Sequence, residues 1–473
     1  AASNDYTLQS TSPAIGAGNS DAIAYDFNDI YRPQGTNKDI GAYEYRNTWT
    51  GGSSTTDWGT TGNWDQGYEP NVNTESPIIA NATPYPVISS DDGASNDGNV
   101  LLEDITINSG AELTINKDAS LKLVGDFTNN SGTVTLNSDS SEFASIIVQG
   151  SSSGNIIYNR YVNSLTGGSG WDLVGSPVDG LSISSFASTN SSPLATGGGG
   201  SGNQYAIGYY DNSADDWTNY TTATIGDAGN FDIGKGYQMA TDSGATLAFT
   251  GTIATTDQTQ SIINNDGNGS GRRWNLVANP YPSYLNLNSA ADGTNNLISV
   301  NTAMGNQIID GSFAAVYGWN PNKSGGAGYD SYDNNDTAKY IAPGQGFFIA
   351  ASGSSSIDLD FTEVMQTVTG GDDFVVGDVM ENTEIYLRLF NNDAFIEQTH
   401  IRFRDDMTLG LNPGYDVGNY NQRAAITTRL LEDDEGINFE HQNLPLSAME
   451  NAVIPLVINQ SAGQEFRINL HTA

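Results

Sequence analysis

Short segments in which apolar and polar residues alternate one by one recur along this sequence, and they constrain its fold more than any other feature. A period of two places successive side chains on opposite faces of an extended strand, whereas an amphipathic helix repeats every three to four residues. The one helix candidate is residues 424–435. The 54 glycines suit tight turns between short strands. The sequence therefore predicts an all-β chain, and its clearest alternating segments are residues 104–108, 112–116, 133–137 and 384–389.

The chain is long and strongly acidic. Its 473 residues exceed what one hydrophobic core usually covers and indicate roughly three or four domains. It has 17 Lys and Arg against 55 Asp and Glu, a net charge of −38. This charge argues against nucleic acid as a partner, because phosphate binding depends on clustered Lys and Arg, and an anionic membrane surface would repel the chain. The free carboxylates make calcium the cofactor to consider.

Disulfides, thiolate metal ligands and a cysteine nucleophile are excluded because the sequence has no cysteine. No stretch approaches the about 18 apolar residues of a membrane helix, so direct membrane insertion is not expected. Residues 1–5 lack the basic and apolar regions of a signal peptide. Two interpretations stay open: a signal has been removed, or the chain starts inside a longer protein.

The first segment, residues 1–46, carries two short motifs. Residues 12–18 read S-P-A-I-G-A-G and residues 39–44 read D-I-G-A-Y-E. They resemble the terminal coils of right-handed parallel β-helix proteins secreted by bacteria, in which an Asp usually stands at the position of Gly16. The resemblance implies that residues 1–46 are the last coils of a parallel β-helix. Because one coil cannot bury its face without stacked neighbours, we expect further coils upstream and interpret the chain as part of a larger protein.

The second segment, residues 47–165, begins with Trp49, Trp58 and Trp64 and continues with short strands. Apolar pairs recur every eight residues, at 105/107, 113/115 and 121/123. This spacing predicts either a small solenoid of short rungs or a tight meander. With the Y-P-V-I element at residues 85–88, the opening resembles a module common in surface proteins of Bacteroidota. We expect the tryptophans to be core or cap residues, and a sugar-stacking platform is the alternative.

The third segment, residues 166–370, contains an internal duplication. Residues 171–177 match 274–280, residues 207–211 match 316–320, residues 234–240 match 344–350, and Phe249 matches Phe361. We therefore divide the segment into two repeats, residues 166–262 and 263–370, and expect one shared β fold and a pseudo-symmetric packing. The W-N-L-V-A-N-P-Y-P element of the second repeat resembles a repeat found before the C-terminal region of proteins exported by the type IX secretion system.

The fourth segment, residues 371–473, is predicted to be a β-sandwich. We expect strands at residues 385–390, 399–403, 452–458 and 465–470. Elements such as Leu387-Arg388-Leu389 and Ile454-Pro455-Leu456 resemble the Ig-like domain that precedes the sorting signal in the same exported proteins. The resemblance implies a sorting domain after residue 473.

Loops rich in hard oxygen ligands are the candidates for calcium. None of them completes an EF-hand pattern, which needs a Glu at position 12, so solvated polar turns are the alternative. Asp211 and Asn320 stand at equivalent repeat positions, which favours a structural turn. The candidate ligands are Asp211, Asp215, Asp266, Asp330, Asp333 and Asp336.

Catalytic residues are not evident in the sequence. The three histidines are His400, His441 and His471, and they have neither a metal-ligand spacing nor a Ser-His-Asp order. His400 alternates with strand residues, so we expect a solvated strand position. We predict no enzymatic activity within these residues.

Aromatic side chains in the two repeats are candidates for binding glycans. Trp217 lies in the first repeat, and Tyr317 and Trp319 lie in the second. Since alternation turns only one of two neighbouring strand residues outward, at least half of the aromatic candidates should belong to the core.

The sequence favours a structural or adhesive segment of a secreted bacterial surface protein, an adhesin or filament-forming subunit located outside the cell. Its expected partners are copies of itself or surface glycans. Two alternatives stay open. One is the accessory C-terminal part of a secreted polysaccharide-degrading enzyme whose catalytic β-helix lies upstream. The other is an array of glycan-binding modules.

Overall fold

A computed structural model of the chain is 40% strand and 6% helix, which confirms the prediction of a multidomain all-β fold. Residues 1–5, on which the interpretation of the N-terminus rests, lie outside the described ranges. The structure describes residues 6–19, 22–90, 98–165, 170–199, 202–268, 271–303, 307–320, 328–371, 384–404, 407–420, 422–449 and 451–472.

A three-sided solenoid of about three turns follows the first segment. Its strands are β1 (Thr48–Trp49), β2 (Ile78–Ile79), β3 (Val87–Ile88), β4 (Asn99–Leu102), β5 (Ile105–Ile107), β6 (Glu112–Ile115), β7 (Ser120–Leu123), β8 (Phe127–Asn129), β9 (Thr133–Asn137), β10 (Ser145–Val148), β11 (Ser152–Ser153) and β12 (Ile156–Val162), with a 3-10 helix at Thr61–Asn63.

Each solenoid coil contributes one strand to each of three parallel sheets. The sheet orders are β1-β2-β5-β8-β11, β4-β7-β10 and β3-β6-β9-β12. Ile105, Leu113 and Leu121 therefore lie on successive sides of the coils, and Ile105 pairs with Phe127 one coil later. The eight-residue spacing is the length of one side, so the solenoid prediction is confirmed and the meander is wrong.

The tryptophans at the start of the solenoid belong to its core. Trp49, Trp58 and Trp64 are all buried, and Trp64 makes T-shaped ring contacts with the other two at 5.2 and 4.8 Å. Each indole N–H donates to a backbone carbonyl, for example from Trp49 to Pro84 at 2.8 Å. Buried rings with satisfied N–H groups confirm the core prediction, and the sugar-stacking alternative for these three residues is wrong.

The first segment is held by carboxylates. Its described residues form no β-strand; a single isolated β-bridge pairs Tyr25 with Tyr31. Oδ1 of Asp39 accepts the Gly16 N–H at 2.6 Å, and Glu44 accepts both the Asp39 N–H at 3.0 Å and the Arg32 side chain. The two sequence motifs are therefore joined through Asp39. Their membership of a β-helix stays a prediction.

The two repeats follow the solenoid. The first contains β13 (Asp172–Val174), α1 (Ile183–Thr189), β14 (Thr196–Gly199), β15 (Gly202–Asp211), β16 (Asp216–Thr221), β17 (Tyr237–Met239), β18 (Ala245–Gly251) and β19 (Gln258–Ile262). The second contains β20 (Trp274–Ala278), β21 (Tyr284–Asn286), α2 (Leu297–Asn301), β22 (Val316–Asn320), β23 (Gly328–Tyr332), β24 (Tyr340–Ile341), β25 (Gly346–Ala350), β26 (Ile357–Phe361) and β27 (Gln366–Thr367). Short 3-10 helices lie at Ile225–Asp227, Asp266–Asn268 and Glu363–Met365.

Both repeats have the same strand order and register, as the duplication predicts. The order β13-β17-β15-β16 in the first corresponds to β20-β25-β22-β23 in the second. Val174 pairs with Tyr237, and the equivalent Val277 pairs with Phe347. The helix ends are also equivalent: Asn190 and Asn301 each exchange side-chain hydrogen bonds with a backbone strand residue, Ala248 and Asp360 respectively.

The solenoid and the first repeat share a strand. β12 pairs in parallel with β9 on one side and antiparallel with β18 on the other, over seven residue pairs from Ile156–Gly251 to Val162–Ala245. The second repeat also contacts the solenoid, because the Ile146 N–H donates to the Pro282 carbonyl at 2.8 Å. The buried core accordingly runs without interruption from Trp49 to Ile253.

The C-terminal module is a seven-stranded sheet of order β33-β31-β32-β29-β28-β34, with β30 paired to β32. A 3-10 helix lies at Leu446–Ala448. The strands are β28 (Glu384–Asn391), β29 (Ala394–Arg404), β30 (Val417–Gly418), β31 (Ile426–Thr428), β32 (Phe439–Pro445), β33 (Leu456–Ile458) and β34 (Arg467–Thr472).

Two of the four strands predicted in this module are found at the expected positions, and two are shortened or shifted. The expected strands at 385–390 and 399–403 lie within β28 and β29, whereas the expected strand at 452–458 is reduced to β33, and the one at 465–470 is shifted to β34. The prediction of a helix at 424–435 is wrong, because residues 426–428 form strand β31 and all three side chains are buried. Two β-branched threonines and a run of four acidic residues at 432–435 disfavour a helix there. The Ig-like identity and the domain boundaries stay predictions.

Candidate functional site

The calcium candidates of the first repeat lie in a turn and cap its backbone. Oδ1 of Asp211 accepts hydrogen bonds from the Ser213 N–H at 2.9 Å and the Ser213 hydroxyl at 2.6 Å. These bonds to Ser213 lower the pKa of Asp211. Asp215 accepts the Tyr210 hydroxyl at 2.6 Å. Both carboxylates therefore serve the β15–β16 turn, as the alternative of a structural turn predicts.

Two candidates of the second repeat have charged or amide partners. Asp266 pairs with Arg273 and accepts the Arg272 N–H at 2.7 Å. Asp330 accepts the side-chain amide of Asn320, the residue equivalent to Asp211, at 2.7 Å.

The remaining candidates, Asp333 and Asp336, are buried and lie next to each other. Oδ2 of Asp336 accepts the Asp333 N–H at 2.7 Å, and Asp333 faces the C-terminal module. Among the residues that the structure describes, no group of three or more His, Cys, Asp or Glu side chains is arranged to hold a metal ion. Calcium binding stays a prediction.

The glycan candidates separate into one buried and two partly exposed residues. Tyr317 is 1% exposed, and its hydroxyl donates to the Gly418 carbonyl at 2.7 Å, so neither ring face is open to a sugar. The assignment of Tyr317 to a glycan surface is therefore corrected. Trp217 and Trp319 are partly exposed.

Each partly exposed tryptophan pairs with a tyrosine across a hairpin. Tyr210 pairs with Trp217 in the first repeat, and the equivalent positions in the second hold Trp319 and Tyr329, with the two ring types exchanged. Ring centroids lie 5.5 and 5.1 Å apart in T-shaped geometry. Such contacts hold the rings in place, and both tryptophans stay partly exposed.

The two pairs meet at Phe348, which also contacts Tyr420 of the C-terminal module. Tyr210 and Tyr329 approach Phe348 at 5.0 and 5.4 Å. Tyr420 stacks on Tyr329 at 4.3 Å, and on Trp274 at 4.2 Å. We call the six rings Tyr210, Trp217, Trp319, Tyr329, Phe348 and Tyr420 the aromatic cluster; it joins three modules.

A second cluster of functional groups lies where the C-terminal module meets the second repeat. His471, Tyr386, His400 and His441 are register neighbours on β34, β28, β29 and β32, and we call them the histidine row. His400 and His441 stack at 4.7 Å, the ordinary spacing of adjacent strands. Because His400 is packed between Tyr386 and His441, its expected solvated position is wrong.

The histidine row ends on Asp333 of the second repeat. Nδ1 of His441 lies 2.9 Å from Oδ2 of Asp333, whose side chain is fully buried. Arg402, the next residue on the same face of β29 as His400, is buried, pairs with Glu384 and has Nη1 3.9 Å from Asp333. The arrangement places two basic groups and two carboxylates between modules.

Burial and charge shift the pKa values of this cluster. Burial disfavours the charged form of His441, but the hydrogen bond and charge of Asp333 outweigh it and raise the pKa of His441. Burial likewise opposes the charge of Asp333, yet His441 and Arg402 lower its pKa. Asp416 is buried nearby, and desolvation raises its pKa to about 7.

Sequence reasoning missed Tyr420 and Tyr329 of the aromatic cluster, and it named Asp333 and His441 without predicting that they meet. Tyr420 comes from a different module, and Asp333 and His441 are 108 residues apart. The duplication could have located Tyr329. Trp319 is equivalent to Tyr210, and Tyr329 lies opposite Trp319 just as Trp217 lies opposite Tyr210.

Comparison with known families gives one match. Residues 48–473 match the model of a family described as a domain of unknown function, DUF8693. No curated protein and no solved structure matches the chain. Neither helix among the described residues is long and apolar enough to cross a membrane.

Proposed function

Because the chain belongs to the DUF8693 family, whose function is not known, we propose from its own residues that it is a structural and adhesive segment of a secreted bacterial surface protein. The observation that carries the proposal is the shared strand β12, which is both the last strand of the solenoid and the partner of β18 in the first repeat. A module boundary made of one continuous sheet has no linker at which to bend.

The other boundaries support the same role. The two repeats exchange backbone hydrogen bonds, such as that from Gly175 to Gly344 at 2.8 Å. Gly418 of β30 donates to the Ser312 carbonyl at 2.8 Å, which fastens the C-terminal module to the second repeat. A chain whose solenoid, two repeats and C-terminal module are joined by backbone bonds is suited to hold these modules at a fixed separation and to bear load.

Location outside the cell is part of the proposal and rests on the sequence. The resemblances to exported surface proteins favour it, and the net charge of −38 keeps such a chain soluble in salt water. The proposal includes no catalytic role for these residues. Copies of the same chain and surface glycans are the proposed partners.

The shared strand can be tested with a matched pair of variants that the duplication supplies. Phe249 faces Tyr158 across the β12–β18 boundary, whereas the equivalent Phe361 lies on β26, which pairs with β19. Both rings are buried, so Phe249→Ala and Phe361→Ala should each cost about 3–5 kcal/mol. Limited proteolysis mapped by mass spectrometry reads out which modules open.

We expect Phe249→Ala to expose cleavage sites in the solenoid as well as in the first repeat. Phe361→Ala should leave the solenoid protected. If Phe249→Ala opens only the first repeat, the solenoid is an independent module, and the proposal loses its carrying observation.

The aromatic cluster favours glycan binding as the adhesive function. Two Trp–Tyr pairs at equivalent positions place partly exposed rings on one connected surface, and sugars stack on such rings. On a glycan array, Trp217→Ala and Trp319→Ala should each weaken binding, while Phe27→Ala, which removes an exposed ring from the first segment, should not. Binding that survives both tryptophan changes would remove this function.

A further inference from the structure

The contact between the C-terminal module and the second repeat is built around a histidine and a buried carboxylate. His441 is supplied by β32 and Asp333 follows β23, so their 2.9 Å contact crosses the module boundary. Asp333 is completely buried, and a buried carboxylate without a cationic partner is strongly destabilising. The protonation state of His441 therefore bears directly on how the modules hold together.

The charged and titratable groups around His441 come from several elements. From β29 come His400, stacked on its ring, and Arg402; from β28 come Glu384 and Tyr386, which hydrogen-bond each other. Glu440 is its neighbour on β32. The second repeat contributes Asp333 and Asp336, and Asp416 precedes β30. His471 lies at the exposed end of the histidine row.

Within this set, Arg402 forms an ion pair with Glu384, and its Nη1 lies 3.9 Å from Asp333. His441 is the basic group in hydrogen-bond contact with Asp333. Since like charges on stacked rings repel, a proton on the His400–His441 pair is placed best on His441, next to the carboxylate. Protonated His441 balances the charge of Asp333, whereas neutral His441 leaves Arg402, 3.9 Å away, as the nearest cation to that carboxylate among the described residues.

We propose that the His441–Asp333 contact is a proton-controlled latch, which holds the C-terminal module on the second repeat when His441 is protonated and weakens this docking when His441 is neutral. The latch is a conformational device separate from the solenoid boundary, so its test and the test of the proposed function can fail independently.

The direction of the pH dependence follows from the two partners. A histidine whose pKa is raised in the folded state stabilises docking fully below its ordinary value of about 6.5, and this contribution is lost as the pH rises through the folded-state pKa. The pKa of Asp333 is lowered, so its contribution is present above 3.8 and is lost as the pH falls through the folded-state pKa. Docking should be strongest in mildly acidic solution.

Proton NMR of the full chain tests the titrating group, because three histidines give three Cε1–H signals. We expect the His441 signal, assigned by its disappearance in His441→Gln, to titrate above about 6.5. Asp333→Asn should lower its midpoint. A His441 midpoint at or below the ordinary value, or one that Asp333→Asn does not lower, would overturn the latch.

Hydrogen exchange of the full chain tests the docking itself. After correction for intrinsic rates, protection of residues 331–336 and 439–445 should fall by about tenfold or more between about pH 6 and about pH 9. His441→Gln keeps a donor for Asp333 but cannot titrate, so the pH dependence should shrink to the part that Asp416 contributes. The control His471→Gln, at the exposed end of the row, should keep it. Equal protection at both pH values, or a pH dependence as large in His441→Gln as in the unmodified chain, would refute the proposal.

Discussion

The backbone N–H of Gly175 donates a hydrogen bond to the carbonyl oxygen of Gly344 at 2.8 Å, and the equivalent Ala278 N–H donates to Gly234 at 2.8 Å. The first bond runs from the first repeat to the second, and the other runs back between the equivalent positions. The bridges Val174–Gln345 and Lys235–Val277 are reciprocal in the same way. The repeats therefore pack as a pseudo-two-fold pair, which the duplication predicts.

This close packing predicts that glycines at the repeat boundary cannot carry a side chain. A Cβ on Gly346 would lie 2.7 Å from the Leu173 carbonyl carbon, and one on the equivalent Gly236 would lie 2.8 Å from the Val277 carbonyl oxygen. Gly346→Ala and Gly236→Ala should each lower the free energy of unfolding by about 1–3 kcal/mol in chemical denaturation. Gly293→Ala has open space around it and is the control. Unchanged stability in the two boundary variants would show that the repeats do not pack this closely.

The equivalent helix-end asparagines should have matching effects. Asn190 donates to the Ala248 carbonyl at 3.1 Å and accepts the Ala248 N–H at 2.8 Å, and Asn301 makes the same two bonds with Asp360, each at 2.9 Å. Replacing either asparagine by Ala removes both bonds from a half-buried strand residue, so each variant should lose about 1–3 kcal/mol. Thermal denaturation should show a lower midpoint for both variants. A loss in only one would contradict the equivalence of the two helix ends.

Tyr317 should contribute to module docking and not to glycan binding. Tyr317→Phe removes the bond to the Gly418 carbonyl and should reduce stability by about 0.5–1.5 kcal/mol. Hydrogen exchange of residues 417–420 should rise, while glycan-array signals should match those of the unmodified chain. Loss of glycan signal in a variant that keeps its fold would contradict the buried position of this ring.

Asp416 should make the protein less stable as the pH rises. Its pKa is 3.8 ordinarily and about 7 in the folded state, so between these pH values the folded protein keeps a proton on Asp416 that the unfolded chain releases. Folding therefore becomes less favourable as the pH rises through this range. Chemical denaturation across this range should show a declining free energy of unfolding, and Asp416→Asn should flatten the decline. Asp433→Asn, at an exposed position of the same module, should not. A decline that persists in Asp416→Asn would assign it to other groups.

Much of the fold could be predicted from two patterns in the sequence, the eight-residue spacing and the duplication. The eight-residue spacing of Ile105, Leu113 and Leu121 reports the side length of a solenoid coil, although spacing alone could not separate a solenoid from a meander. That choice depends on whether strands pair with the next strand or with the next coil. The duplication predicted the repeat pair because the matched segments include the glycines and strand ends through which the two repeats contact each other.

The candidate sites were harder to predict because their members come from distant parts of the chain. Tyr420 and Trp274 stack across a module boundary, and His441 meets Asp333 only once β32 is docked on the second repeat. Alternation placed Tyr317 and Trp319 on one strand face but could not show that the C-terminal module covers Tyr317 and leaves Trp319 at the rim. For the helix predicted at 424–435, burial between strands overrode a weak local pattern.

Single-molecule force spectroscopy of the full chain, pulled from its two ends, tests the fusion of modules most directly. If β12 joins the solenoid to the first repeat, residues 48–262 should extend in one event that releases about 75 nm of contour length. Phe249→Ala should split that event, and Phe361→Ala should leave it whole. Separate events for the solenoid and the first repeat in the unmodified chain would contradict the account.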